Sequence, residues 1–156
     1  MQYNTRMTDI TSQALDKALN NEQNSVLLKL SNRDISEMNA TIVMGLLNYN
    51  PLKRKNAALS HTLENHLLAL NGYRYVDEIN DLKQNVYVKW IRNDSPNKLT
   101  KGAISCSVKI TNDGMLVMCK NYFGKFFFLK MEECAIFQKI TNEEKVILTV
   151  MDFIKP

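Results

Sequence analysis

Lys53-Arg54-Lys55 sets three cations within a single turn, directly after Pro51 and at the head of a run with helical spacing. Cations at that end oppose the helix macrodipole, so local helix stability does not explain them. They read either as a solvated face or as contact with phosphate or an acidic partner. A second set lies further on. Lys89, Trp90 and Arg92 share one strand-like segment, Lys98 and Lys101 follow in a loop, and Lys109, Lys120 and Lys125 come from hairpins. Ammonium and guanidinium groups neutralise phosphates, and aromatic rings stack on bases. Trp90, Tyr87 and Tyr122 are therefore candidate stacking residues. Closing Asn112-Asp113-Gly114 as a three-residue loop places Val117 opposite Lys109 and Lys120 opposite Cys106. The two lysines then point to different faces, and lysines on edge strands also guard against aggregation.

Other chemistries find little support. The two histidines stand as His61-x-x-Glu64-x-His66. Five residues apart on a helix they diverge by about 140°, whereas a zinc-binding HExxH pair sits at i, i+4; both read as helix-surface residues. Nucleophilic triads have few constructions left. No GxGxxG, GxxxxGK[ST] or GxSxG occurs, and five glycines in all leave little for phosphate-cradling loops. Glu132-Glu133, Glu143-Glu144 and Asp77-Glu78 read as caps and solvated turns. Cys106, Cys119 and Cys134 are odd in number, lack CxxC spacing and fall at strand-like positions. They are expected to be buried, reduced thiols in a cytosolic setting. No catalytic residue, metal site, cofactor or small-molecule substrate is expected.

Composition bounds the rest. The chain has 156 residues, 45% of them hydrophobic, enough for a packed core in one unit or a helical part joined to a small β part. The net charge of +4 is unevenly placed: residues 1–85 carry 9 basic and 9 acidic groups, residues 86–156 carry 11 and 7. The excess in the second part leans toward anionic partners. The opening MQYNTRMTDI is polar and the apolar runs are short, so neither a signal peptide nor a membrane span is expected.

The elements that must position these groups follow from periodicity. TDITSQALDKALNN predicts a first helix. Ser31 with Asp34 caps a second, which carries Ile35, Met38, Ile42 and Leu46 and ends near Asn48-Tyr49-Asn50. A third is predicted to start at Pro51 with Asn50 as its cap and to stop at Asn71-Gly72. YRYVDEINDLKQ reads as amphipathic, with a turn or two of helix. From Asn85 onward five short strands are predicted. In the second of them Ile104, Cys106, Val108 and Ile110 form a buried face, and Ser105, Ser107, Lys109 and Thr111 a wet one. Thr141 and Glu144 make a capping box that favours a closing helix over a last strand.

FGKFFFLK, Phe123 to Lys130, poses the sharpest question. An RNA-recognition sheet needs a basic residue, glycine, then aromatics alternating on one exposed face. Here the order is Gly124-Lys125-Phe126-Phe127-Phe128 and the βαββαβ context is missing. Phe126 and Phe128 share one face, Phe127 and Leu129 the other. Two apolar faces imply a strand covered on both sides, so all three rings are expected in the core.

The stretch NGYRYVDEINDLKQNVYVKWIRND, followed by LTKGAISCSVKI and ECAIFQKI, resembles small uncharacterised proteins of large eukaryotic DNA viruses over residues 71–140. The resemblance implies a virion-associated or host-infection role and carries no functional residues with it.

Together these readings predict an α+β protein: N-terminal helices packed on a small C-terminal antiparallel β-barrel or curled sheet of five short strands, ending in a helix. Residues 1–84 form the helical part, and residues 85–156 the β part with its closing helix. The expected function is non-enzymatic binding, the basic β part contacting nucleic-acid phosphates or an acidic protein partner through Lys53, Arg54, Lys55, Lys89, Trp90, Arg92, Lys101, Lys109, Lys120 and Lys125. The alternative is a structural or assembly component, such as a minor virion-associated protein acting through subunit contacts. A remoter one is an enzyme with an unrecognised site. The expected setting is intracellular, cytoplasmic or nuclear, and a homo-oligomer is compatible with it.

Overall fold

The computed structural model describes residues 12–21, 24, 27, 29–50, 52 and 57–154. The contacts divide the chain into two compact units, Met1–Ile35 with Ile140–Pro156, and Ser36–Lys139. Among the described residues there are four α-helices: α1 (12–19), α2 (Asn32–Leu47), α3 (Ala57–Ala69) and α4 (Asn142–Ile154). None is long and apolar enough to cross a membrane.

In the first unit, Ala18 of α1, Leu27, Ile35, Ile140, and Ile147 and Leu148 of α4 form one buried cluster. The cap that favours a helix at α4 is reciprocal. Thr141 N–H donates to Glu144 Oε1 at 2.9 Å, and Glu144 N–H donates to Thr141 Oγ1 at 3.2 Å. Two of the donors left unsatisfied near the start of a helix are thereby bonded. Ser31 and Asp34 make the same exchange at the start of α2, at 2.9 and 3.2 Å. The end of α2 is set by Asn48, whose φ of 52° is a left-handed turn that asparagine tolerates better than most side chains. The predicted start of the third helix at Pro51 lies outside the described residues.

The second unit is a six-stranded antiparallel sheet with α2 and α3 against it. Its strands are β1 (Tyr73–Tyr75), β2 (Tyr87–Arg92), β3 (Ala103–Thr111), β4 (Gly114–Lys120), β5 (Phe126–Lys130) and β6 (Cys134–Lys139), in the spatial order β1-β6-β2-β3-β4-β5. The five expected strands are β2 to β6. The sixth, β1, occupies part of the segment expected to be helical, where only Ile79–Asp81 makes a 3₁₀ turn. Pairing with β6, Arg74 opposite Gln138, makes the strand, and Asn39 of α2 bonds its outer edge: its Nδ2 donates to Tyr73 O at 2.9 Å and its Oδ1 accepts from Tyr75 N–H at 3.1 Å.

The sheet is open, with β1 and β5 as its edges, so the closed barrel is not formed. It is nevertheless curled. Trp90 on β2 and Phe127 on β5 lie three strand spacings apart along the sheet, about 14 Å if it were flat, yet their ring centroids are 5.6 Å apart. The concave face holds Val88, Trp90, Val117, Cys119, Leu129 and Ile136, with Val76 and Leu82 from the preceding segment packed into it. That segment is held by polar anchors on the same face. Buried Gln138 accepts from Lys83 N–H at 3.0 Å and donates to Asp81 O at 2.6 Å. Ser105 Oγ lies 2.7 Å from Lys83 O. On the convex face, Val43 and Leu47 of α2 and the partly buried Leu59, Leu63 and Leu67 of α3 meet Ile91, Ala135 and Phe137. Each of the buried Val43, Leu47, Ile91 and Phe137 side chains contributes roughly 1.5–3 kcal/mol. Among the described residues of this unit, the helices thus cover β2 and β6 and leave the convex side of β3, β4 and β5 without a layer.

Two features of β3 depart from simple alternation. A bulge between Ser105 and Ser107 shifts the register, so Ala103 and Ser105 face the core before it and Val108 faces the core after it. Ile110, expected inside, is 76% exposed. The β3–β4 turn is also tighter than expected: Thr111 pairs with Gly114, and Lys109 with Leu116 rather than Val117. Lys109 and Lys120 therefore share the convex face instead of opposing ones.

Gly114 has a φ of 121°, and a Cβ there would come within 2.8 Å of the Glu132 carboxylate. That carboxylate accepts from Met115 N–H at 2.9 Å, and this bond holds its pKa below the usual value. Gly114→Ala should destabilise the protein by about 1–3 kcal/mol from backbone strain and displacement of Glu132, read as a lower urea midpoint with an unchanged slope.

Candidate nucleic-acid interface

The turn Asn121–Lys125 between β4 and β5 is built by one side chain. Asn121 Oδ1 accepts from both Phe123 N–H and Lys125 N–H at 2.9 Å, and Asn121 N–H donates to Lys125 O at 2.9 Å. Gly124, at φ 79°, supplies the conformation that closes the turn. The result is a defined platform from which Tyr122 and Phe123 project, 95% and 88% exposed, their rings edge to face at 5.6 Å.

The aromatic surface continues onto the convex sheet face. Across neighbouring strands the register aligns Tyr87, Ile104, Lys120 and Phe126, and the next outward row aligns Ser107, Met118 and Phe128. Phe126 and Phe128 are 56% and 54% exposed, which overturns their expected burial. The reason is position: β5 is an edge strand, its concave side meets the core through Phe127 and Leu129, and among the described residues the helices of the unit pack on β2 and β6 instead of its other side. Lys120 Nζ stands 5.6 Å from the Phe126 ring centroid, and Lys139 Nζ 5.8 Å from that of Tyr87, both within cation–π range. Between the turn and the start of β3 lies a cleft of about 670 Å³, lined by Tyr87, Lys101, Ile104, Lys120, Tyr122 and Phe123 among others, with no carboxylate among its described lining residues.

The expected site residues separate on this surface. Lys101 and Lys120 line the cleft, and Lys125 is exposed in the same turn. Lys109 shares the face but lies four residues along from the Lys120 row, about 13 Å away. Arg92 is exposed at the far end of β2, on the other face parity. Lys89 is engaged in the fold: its Nζ donates to Ala69 O at 2.9 Å at the end of α3 and stands 4.7 Å over the Tyr73 ring. Trp90 is only 8% exposed and packs on Phe127, so it has no free face to stack. Lys53, Arg54 and Lys55 lie outside the described residues. The sequence reading missed Phe123, Phe126 and Phe128. For Phe123 a signal existed, because aromatics inside an Asn-x-x-Gly turn have no core to enter.

His66, expected on the helix surface, is buried, with Nε2 3.0 Å from Pro96 O. Among the described residues no group of His, Cys, Asp and Glu could hold a metal. Burial pushes the Cys119 thiol to about 12 and Cys134 to about 11 from a usual value of 9.0. Both stay protonated at neutral pH, whereas Cys106 is half-buried. Iodoacetamide at pH 8 should label Cys106 first and leave the other two until the chain unfolds. The same shifts carry a sign for stability. The unfolded thiols ionise near 9 while the folded ones resist, so this contribution is intact below pH 9 and lost as pH rises toward 11–12. A urea titration across that range reads it.

The fold and surface define an α+β protein whose open, curled antiparallel sheet carries helices on part of its convex face and exposed aromatic and basic groups on the rest. Compared with family models, with curated proteins and with solved structures, the chain shows no significant match.

Proposed function

We propose that this protein is a non-enzymatic binding protein whose ligand is single-stranded nucleic acid, held on the convex face of β3–β5 and the β4–β5 turn. One observation carries the reading: Tyr122 and Phe123 stand almost wholly exposed on a turn fixed by Asn121, beside Lys101, Lys120 and Lys125. Exposed rings of this size on a defined backbone carry a hydrophobic cost that stacking on bases relieves. The neighbouring ammonium groups suit a phosphate backbone, and a duplex hides its base faces, so a single strand fits better than a double one.

The assembly reading draws on a different observation. β5 is an unpaired edge whose Phe126 and Phe128 are exposed, a surface that another protein's strand could extend. A virion-associated role would use it in that way. Salt separates the two. Fluorescence anisotropy with a random-sequence single-stranded oligonucleotide should show affinity falling with salt at a logarithmic slope of about −2 or steeper, about 0.7 for each of at least three phosphate contacts. That is a loss of at least about 15–20-fold between 50 and 200 mM salt. Absence of binding at 50 mM salt would overturn the nucleic-acid reading and leave the assembly one.

A further inference from the structure

A second cleft, of about 850 Å³, lies between α3 and the loop that joins β2 to β3. Lys101 lines both clefts, so the aromatic site and this one meet at a single residue. No carboxylate is among the described lining residues of either, in a chain with 16 acidic residues. The contents differ, however. Where the first cleft offers rings, the second offers the exposed side chains of Asn65, Asn97 and Lys98.

The walls of the second cleft are tied in place. A carbonyl oxygen only accepts, so His66 Nε2 carries the proton in its 3.0 Å contact with Pro96 O, and this bond fastens the loop to α3. At the other end of the loop Thr100 Oγ1 accepts from Trp90 N–H at 3.0 Å, and Ile91 bridges to Leu99. The Lys89 ammonium is spent on Ala69 O. Lys98 and Lys101 are the exposed cations of the cleft.

We propose that the strand stacked on Tyr122 and Phe123 continues past Lys101 into this second cleft. There its phosphates meet Lys98 and Lys101, and a base edge meets the Asn65 and Asn97 amides. An amide presents both a donor and an acceptor, the pairing that base edges require. The inference rests on the nucleic-acid reading above and adds to it a path and a length. Two clefts joined at one lysine make a site of roughly 4–6 nucleotides, at the low end for single-strand binders. They also divide it into a stacking part and a base-edge part.

The test is competition by unlabelled oligothymidylates of two to twelve nucleotides against a labelled twelve-mer, with the full chain and its Lys98→Ala and Asn65→Ala variants. Both side chains are exposed, so folding is little affected. Affinity should climb with length to about five nucleotides and then level. Lys98→Ala should weaken the twelve-mer about 3- to 10-fold and reduce the salt slope by about 0.7, one phosphate contact, while leaving a dinucleotide unchanged. Asn65→Ala should weaken the twelve-mer without moving the slope. A plateau already at two or three nucleotides, with both variants silent, overturns the path and leaves the stacking site standing. Absence of binding by any oligomer overturns both.

Discussion

Replacing Tyr122 and Phe123 together by alanine should weaken single-strand binding by at least about 30-fold while leaving the fold intact. Each base stacked on an aromatic ring is worth roughly 1–3 kcal/mol, so losing two platforms costs about 2 kcal/mol at the least. The stability side is equally definite. Both side chains are exposed, 95% and 88%, and the turn that carries them is held through Asn121 and backbone groups that the substitutions leave in place. A surface change of that kind moves stability within about 0.5 kcal/mol. Anisotropy against a single-stranded oligonucleotide reads the first effect, and thermal unfolding the second. Lys120→Ala should differ in kind: a smaller loss of affinity with a shallower salt slope, because it removes a phosphate contact. Unchanged affinity in the double alanine variant would remove the rings from the site and leave only charge.

Trp90→Ala should be the more damaging change to the molecule itself, costing about 3–5 kcal/mol, in line with large-to-small substitutions of buried aromatics. Trp90 sits in the concave core with Val88, Val117 and Ile136, and its ring meets Phe127 across the curl of the sheet. Removing it opens a cavity where β2 and β5 are held together. Domains of this size have about 5–15 kcal/mol in all, so a large part of the population should unfold at modest urea. Loss of binding in that variant would say nothing about contact with a ligand. Trp90→Phe separates the roles: it keeps an aromatic ring in the core, should lose far less stability, and should bind oligonucleotide as the parent does. A tenfold weakening in fully folded Trp90→Phe would return Trp90 to the interface.

Much of the local structure was legible. Ser31 with Asp34 and Thr141 with Glu144 are exchanges within four residues, so their geometry follows from short-range sequence alone, and both capping boxes form. Asn48 at the end of α2 is as local. The strand character of residues 85–139 also follows from composition, although one strand, β1 at Tyr73–Tyr75, precedes that segment. What did not follow was which face of each strand is covered. A shorter turn at Asn112-Asp113 put Lys109 and Lys120 on the same side, and a single bulge at Ser105–Ser107 turned Ser105 to the core and Ile104 outward. With a side-chain period of two, one residue of slip exchanges inside and outside.

By itself, the sequence determined most of the elements other than β1, the two capping boxes and the uneven placement of charge, because each depends on neighbours a few residues away. It also bounded the chemistry, by offering two poorly spaced histidines and few glycines. Tertiary structure alone decided the fate of Phe126-Phe127-Phe128. As a middle strand their two apolar faces would both be buried. As the edge of an open sheet whose helices lie over β2 and β6, one face enters the core with Phe127 and the other meets solvent with Phe126 and Phe128. Burial is set by what packs against a strand from distant parts of the chain, and alternation along the strand records only which residues share a side.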